Sequence, residues 1–499
     1  MGSTFPGPSF RGCPTLLCVG QNTTAGVAET KWPGSCRGSN TMSISSEQHP
    51  GSAASIDGSK IRRDVPVEDA ELTHTGPGTP MGEYMRRFWQ PVCLSEDLTD
   101  LPKAIRILNE DLVAFRDKRG KVGVLHRHCS HRGTSLEYGI VSERGIRCCY
   151  HGWLFDVDGR VLETPGEPPD SKLKDSLFHG AYPALEKDGL VFAYMGPPES
   201  RPSFPIYDTF DSPDTRVKAY SIWHSCNWLQ NHENAMDHVH GVFLHSNISD
   251  IQITPAWGVM PVMQFMPTDN GNGAMWVAGR RMQEDRIWLR TNHGVLPNFV
   301  QVGTLWEYGE REHYFTRASL IRWTVPIDDR HCWIFGWRYF NDVVDPRGEG
   351  DWDAVGPGMV DFAPGQSGDR PYEEKQRQPG DWDAIVSQRP IAVHDLEHLG
   401  TTDAGVVLHR RLLRQAVRGE TPPNPHFAAG LGTAERPVPS YVYDTVLKVP
   451  PVPGTDERDL IADVAKRVND VVLDADDVVG PERQRIIAER IQALEAEYA

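Results

Sequence analysis

The chain has 499 residues, 39% of them hydrophobic and 24% charged, with a formal net charge of −17. That length allows two or three domains with a sizeable core, and the acidic balance argues against nucleic acid, which wants basic surface. No run approaches the roughly 18 apolar residues of a membrane span, and nine scattered cysteines fit a reducing cytoplasm better than an oxidising exterior.

Residues 1–70 are rich in Ser, Gly, Thr and Pro, without periodicity, and are expected to form a disordered extension. Their one apolar patch, Leu16-Leu17-Cys18-Val19, is too short for a secretory signal and lacks its basic flank. Order is expected from Thr73. Residues 81–89 read as a short helix ended by Pro91. From Val92 to Pro197 short β runs, such as 104–108 and 122–125, alternate with turns, and Asp158-Gly159 marks a hairpin. Residues 71–205 therefore read as a small all-β domain, ended by a Pro-rich hinge at Pro197-Pro198 and Pro202-Ser203-Phe204-Pro205.

A second domain is expected over 206–450. It begins with a strand at 217–223, switches to helix over 227–240, and returns to strands at 275–278, 286–289, 299–302 and 333–337. A polar excursion at 341–380 precedes a helix over 402–414. Residues 451–499 form a charged helical tail without an evident role. The class is α+β: a β domain, then an antiparallel sheet with a long helix.

Two constellations carry chemistry. Cys129-Ser130-His131 and Cys148-Cys149-Tyr150-His151 each place one Cys and one His on a loop. Two thiolates and two imidazoles are the ligands of a Rieske [2Fe–2S] cluster, although tetrahedral zinc accepts the same set. Gly133 and Gly152 favour the cluster, because they let two loop backbones approach a bulky group. The second constellation is Asp237-His238-Val239-His240 followed by His245. Two imidazoles and a carboxylate make the facial triad of non-haem Fe(II). His240 and His245 stand about 140° apart on an ideal α-helix, so a break or π-bulge at Gly241 is required for them to converge. His232 and His238 read as packing or surface groups. The carboxylate must come from elsewhere, and Asp395, Glu397 and Asp403 are the candidates. Glu233 and Asn234 stand where they can orient the site. Arg280, Arg281, Arg286 and Arg290 flank a strand from which one can clamp a substrate carboxylate, or simply face solvent.

These residues resemble the oxygenase (alpha) component of the Rieske non-haem iron oxygenases, from about Thr73 to Gln415. The segment from Asn227 to Asp237 is similar to the family's helix before its histidine ligands. Three phrases, Thr75 to Met81, Val325 to Asp329 and Glu397 to Asp403, resemble the phthalate dioxygenase and dehydrodivanillate O-demethylase branch. The respiratory Rieske class fits poorly, because its two extra loop cysteines fall here on Thr134 and Tyr150.

The resemblance implies a helix-grip catalytic domain after the Rieske domain. It implies a cluster on Cys129, His131, Cys148 and His151, and iron on His240, His245 and Asp403, with Glu397 next in line. Asp237 is implied to bridge the two centres between subunits of a homotrimer. Electrons from NAD(P)H are expected through a separate flavin or iron–sulfur reductase or a ferredoxin, since the chain carries no dinucleotide fingerprint. The substrate implied is a substituted aromatic acid, hydroxylated or O-demethylated. The alternatives are cis-dihydroxylation of a phthalate-like acid, hydroxylation of a polycyclic or steroid-like substrate, and a Rieske electron carrier without oxygenase activity.

Overall fold

The computed structural model describes residues 65–210, 215–268, 271–421 and 429–498, so all but the last six residues of the disordered extension expected over 1–70 lie outside the described residues. Order begins earlier than Thr73. Ala70–Thr73 is already helical with Leu72 buried, and the Trp228 indole donates to the Leu72 carbonyl at 3.1 Å. No local pattern marks this segment; it is ordered by what it docks on.

The first domain is built from three small antiparallel sheets. Two of them are four-stranded. One runs Lys103–Ile107, Glu110–Arg116, Val122–His126 and Ala181–Tyr182; the other runs Ile140–Val141, Ile146–Arg147, Leu154–Phe155 and Val161–Glu163. The Asp158-Gly159 turn joins the last two, with Gly159 at φ +80°. The Asp156 carboxylate closes that turn by accepting from the Asp158 and Arg160 amides. The third sheet packs onto the second domain, where Phe192 meets the rings of Trp323 and Trp337 at 5.4 and 6.0 Å. Two of the phrases behind the branch resemblance prove to be this junction. The Thr75 amide and the Asn109 side chain both donate to Asp329 at 3.0 Å, and the Leu108 amide donates to the Pro326 carbonyl at 2.8 Å.

The second domain is a larger antiparallel sheet, with strands in the order Arg216–His224, His331–Phe340, Leu320–Asp328, Phe299–Val302, Arg286–Val295, Gly273–Met282 and Val262–Thr268. Asp444–Lys448 pairs with Arg286–Val295 and with His313–Thr316. Side chains alternate across a strand, and here both faces are covered. Ala274 and Trp276 point to the core that contains Val406 and Leu412 of helix Ala404–Val417. Met275 and Val277 point to the core containing Ile461, Val464 and Ile487. That explains the unbroken apolar run in the strand. It also gives the charged tail its role, because helices Glu457–Leu473 and Gly480–Glu495 seal the second face.

The helix expected over 227–240 is broken. Trp228–Glu233 is α-helical, Asn234–Met236 tightens to a 3₁₀ turn, and Asp237 leaves helical geometry at φ −105°, ψ 103°. A new helical turn, Val239–Val242, runs into a π-helical stretch, Phe243–Asn247. The distortion demanded by the His240/His245 spacing is present, just past Gly241. Among the described residues no helix is long and apolar enough to cross a membrane.

Candidate metal centres

In the first domain the two Cys/His loops are closed by their own backbones. The Cys129 amide donates to the Thr134 carbonyl and the Gly133 amide to the Cys129 carbonyl. The second loop repeats the device, with Cys148 bonded to Trp153 and Gly152 to Cys148. Gly133 and Gly152 take φ of +78° and +72°, a region in which a Cβ is disfavoured. At Gly133 the reason is conformational, since an added Cβ would meet nothing within 4 Å; at Gly152 it would also meet Pro165 at 2.9 Å.

The four ligand candidates fall into two pairs. The buried Cys129 and Cys148 thiols lie within hydrogen-bonding reach of each other. The His131 and His151 rings meet edge to face at 4.5 Å, and Trp153 stacks on His131 at 4.7 Å. A two-iron cluster needs a sulfur pair and a nitrogen pair. One tetrahedral ion would instead draw all four ligand atoms into one shell, and among the described residues no single-ion group includes them. The residues fit the cluster. Cys149 is exposed and takes no part in the pairing.

In the second domain His240, His245 and Asp381 bring one ligand atom each to a common point. Asp381 Oδ1 lies 3.4 Å from His240 Nε2 and 3.3 Å from His245 Nε2. His245 and Asp381 are each oriented through their other polar atom. The Gln252 amide donates to the Pro379 carbonyl, which turns its Oε1 toward His245 Nδ1 at 3.0 Å. Nδ1 therefore carries the proton and Nε2 presents its lone pair. Gln366 Nε2 donates to Asp381 Oδ2 at 2.6 Å. His240 Nδ1 faces Asp237 Oδ2 at 3.6 Å, while Asp237 Oδ1 accepts from the Val239 and His240 amides. Burial opposes ionisation of Asp381, but the charge and hydrogen bond of His245, with His240 and Gln366, hold its carboxyl well below the usual range. Burial likewise disfavours a charged His245, and Asp381 outweighs it and pushes the imidazole up. Two imidazoles and one carboxylate around one point suit a non-haem iron.

Asp403 is not the carboxylate at this point. It caps its own turn, accepting from the Gly400 amide at 2.6 Å, as an acid at a helix N-terminus commonly does. Glu397 is held by Arg410 at 2.5 Å, and Asp395 accepts from the Val67 amide. Glu233 does not orient the site either: its carboxylate pairs with Arg410 at 2.6 and 2.7 Å, tying helix Trp228–Glu233 to helix Ala404–Val417. Asn234 is at the site, donating to Asp381 Oδ1 at 3.1 Å and lying 3.3 Å from His240 Nε2. His232 packs on His409 in the core. His238 is buried on the wall of the site's cavity. Asp381 was hidden by the sequence because it enters at the end of the polar excursion. Its only local signal is the helix start Gly380-Asp381-Trp382-Asp383, where Asp383 caps the Gly380 amide.

A cavity of about 60 Å³ opens on the centre. Ile253, Val302, Leu305, Leu320 and Phe362 supply apolar wall, and Arg322 lines it too; Arg290 also borders the cavity, but its guanidinium donates to the Thr304 and Gly303 carbonyls. Arg281 and Arg286 are spent on ion pairs with Glu457 and Glu312, and Arg280 is buried, donating to the Val259 carbonyl.

The chain is similar to known proteins along most of its length. Residues 88–182 match the family model of the Rieske [2Fe-2S] domain. The chain is 48% identical over 460 residues to the tert-butanol monooxygenase / tert-amyl alcohol desaturase oxygenase subunit of Aquincola tertiaricarbonis, covering 89% of this chain and 97% of that one. It is 38% identical to the phenoxybenzoate dioxygenase alpha subunit of Ectopseudomonas oleovorans (78% and 93% covered). It is 31% identical to the 5,5'-dehydrodivanillate O-demethylase oxygenase subunit of Sphingobium sp. (71% and 82%). Among solved structures, Pseudomonas putida CBB5 NdmA with caffeine aligns over 68% of this chain and 92% of its own, at 19% identity and a TM-score of 0.50, a likeness of fold.

Proposed function

Because the chain belongs to the oxygenase subunits of the Rieske non-haem iron oxygenases, we propose that Cys129, His131, Cys148 and His151 hold its [2Fe–2S] cluster and that His240, His245 and Asp381 hold its mononuclear iron. The protein is a terminal oxygenase, with a Rieske cluster and a non-haem iron as cofactors. When bound, the iron supplies dioxygen activation, with electrons arriving singly through the cluster. Everything else is positioning by this chain. Gln252 fixes the His245 tautomer, Gln366 turns Asp381, and Asp237 fixes the turn that carries His240.

The same reading assigns residues 71–205 to the cluster domain and 206–450 to the catalytic domain, sealed by helices from 451–499. Electrons come from NAD(P)H through a separate flavin or iron–sulfur reductase or a ferredoxin, in a reducing cytoplasm. The oxygenase works as a homotrimer, a closed ring in which each cluster domain meets the next catalytic domain. Asp237 supports this, since its side chain is partly exposed and Oδ2 retains a lone pair for the outer ring nitrogen of His151 of the partner subunit.

The substrate is a compact branched aliphatic alcohol. The apolar wall beside the iron position carries this reading: Ile253, Val302, Leu305, Leu320 and Phe362 suit a small branched hydrocarbon skeleton, such as that of the tertiary alcohol named for the 48%-identical relative. A second reading, a substituted aromatic acid, is favoured by Arg322 on the cavity wall, since a guanidinium suits a carboxylate. Oxygen uptake by the reconstituted oxygenase with a surrogate reductase, with products analysed, tests both. Oxidised product from tert-butanol or tert-amyl alcohol is expected. Formaldehyde from a methoxybenzoate, or a dihydrodiol from a benzoate, with no product from the alcohols, would transfer the conclusion to the aromatic acids.

A further inference from the structure

A second group of metal-ligating side chains stands apart from both centres. Glu307, His313 and Asp444 bring one ligand atom each within 4.8 Å of one another. Glu307 follows strand Phe299–Val302, His313 opens strand His313–Thr316, and Asp444 opens strand Asp444–Lys448, which pairs with it. His313 Nε2 lies 3.1 Å from Asp444 Oδ1 and 3.8 Å from Glu307 Oε2.

Each of the three is held through its other polar atom, the construction seen at His245 and Asp381. Asp444 Oδ2 accepts from the Trp288 indole at 2.9 Å. Glu307 Oε1 accepts from the Tyr308 and Gly309 amides at 2.9 and 2.5 Å. His313 Nδ1 faces the Arg311 carbonyl at 3.3 Å, and because a carbonyl only accepts, Nδ1 carries the proton. A neutral imidazole then turns the Nε2 lone pair toward two carboxylate oxygens. Three electron-rich atoms in a largely buried place repel one another unless a positive charge lies among them, either a further proton on these three side chains or a metal.

An independent observation favours the metal. Glu307 and His313 line a cavity of about 260 Å³, and Thr304 lines it too. Thr304 is 2% exposed, yet its hydroxyl has no hydrogen-bond partner. A buried hydroxyl without a partner is costly. A water held by a cation on three protein ligands would supply that partner from the cavity side.

We propose that Glu307, His313 and Asp444 bind a divalent first-row cation, with water completing its coordination from the cavity. One nitrogen and two carboxylate oxygens suit zinc, manganese or ferrous ions. The cation ties the strand pair to the loop that carries Glu307, and so stabilises the fold by mass action. Asp444 also faces the buried guanidinium groups of Arg280 and Arg290, so this site binds less tightly than its ligand set alone would give.

The test uses the iron-replete holoenzyme, freed of loosely held metal and dialysed against zinc, a redox-silent probe. The expected result is one zinc per chain beyond the iron, and a Tm that rises with zinc. His313→Gln and Glu307→Gln should keep the cluster spectrum and the iron content while losing both effects. Equal zinc uptake by wild type and His313→Gln, or none by wild type, overturns the proposal and leaves a further proton on the three side chains instead. Zinc-edge X-ray absorption on the wild type decides the matter without any variant. A single imidazole among nitrogen and oxygen ligands is expected; two imidazoles would mean zinc at His240 and His245, and sulfur would mean zinc at the cluster loops, and either overturns it.

Discussion

The cluster loops and the His240/His245/Asp381 centre solve the same problem with different parts. At the cluster loops the backbone does the holding: each loop closes on its own amides, with glycine in the left-handed region. At the second centre side chains hold side chains. Gln252 and Gln366 each fix one ligand through an atom that points away from the metal position, and the Asp237 side chain holds the turn that carries His240. A site built from backbone tolerates most substitutions near its ligands and fails where the backbone path is forced. A site built from side chains fails at every supporting contact. The two should therefore respond to mutation in opposite patterns.

The sharpest break is Asp381→Ala. It removes the only carboxylate of the triad, so mononuclear iron and turnover should both be lost while the cluster spectrum remains. Asp403→Asn should retain both, because Asp403 caps its own turn. Iron analysis of the two variants side by side decides it; iron lost from Asp403→Asn and kept by Asp381→Ala would reverse the assignment.

Asp237→Asn separates orientation from electron delivery. The amide oxygen can still accept from the Val239 and His240 amides, as Asp237 Oδ1 does, so iron should stay bound. What goes is the negative charge facing His240 and, in the proposed trimer, the partner subunit, and turnover should fall by about 100-fold, the upper range for such supporting groups. Stopped-flow reoxidation of the reduced cluster by oxygen, with substrate present, is the measurement. A wild-type rate would remove Asp237 from the electron path.

Gln252→Leu frees the His245 ring without touching a ligand. Its Nδ1 loses its acceptor, both tautomers become accessible, and iron affinity should fall about 10-fold, the lower range of such losses. Competition with a chelator gives the number.

The difference between the two regions also governs what the sequence disclosed. The cluster ligands are close in the chain, so their spacing and glycines are readable where they stand. His240 and His245 were legible for the same reason, and their five-residue gap announced the distortion now found at Phe243–Asn247. Asp381 and Gln366 were not legible, because the fold carries them in from the far end of a polar excursion whose composition resembles any surface loop. Asp403, the last residue of a family-like phrase, matched the family's carboxylate at the head of a helix, where a capping acid and a metal ligand look alike in sequence. Glu233 misled similarly, since its partner Arg410 lies on a helix far along the chain. The apolar run at Gly273–Met282 fixed a strand but not its second cover, and so the C-terminal helices had no visible task.

At the cluster loops the sensitive point should be glycine. Gly152→Ala puts a Cβ on a residue at φ +72°, 2.9 Å from Pro165. The left-handed conformation alone costs about 1–2 kcal/mol, enough to loosen the second loop and make the cluster more easily lost on warming. Gly133→Ala, with open space around its Cβ, should cost the conformational part only. Cluster bleaching temperatures of the two variants should therefore rank Gly152→Ala below Gly133→Ala; the reverse order would mean that the contact with Pro165 does not constrain the loop.

The smallest effect expected is the most pointed check on a backbone-built site. Cys149 stands beside a ligand, has the same side chain as its neighbour, and would be suspected on chemistry alone. The loop path separates the two: the hydrogen bonds between Cys148 and Trp153 and between Gly152 and Cys148 turn Cys148 inward against Cys129, and leave Cys149 exposed. Cys149→Ser should thus leave the visible spectrum, the reduction potential and turnover unchanged, while Cys148→Ser should be colourless. A colourless Cys149→Ser protein would show that the backbone does not choose the ligand, and would cancel the contrast between the two centres.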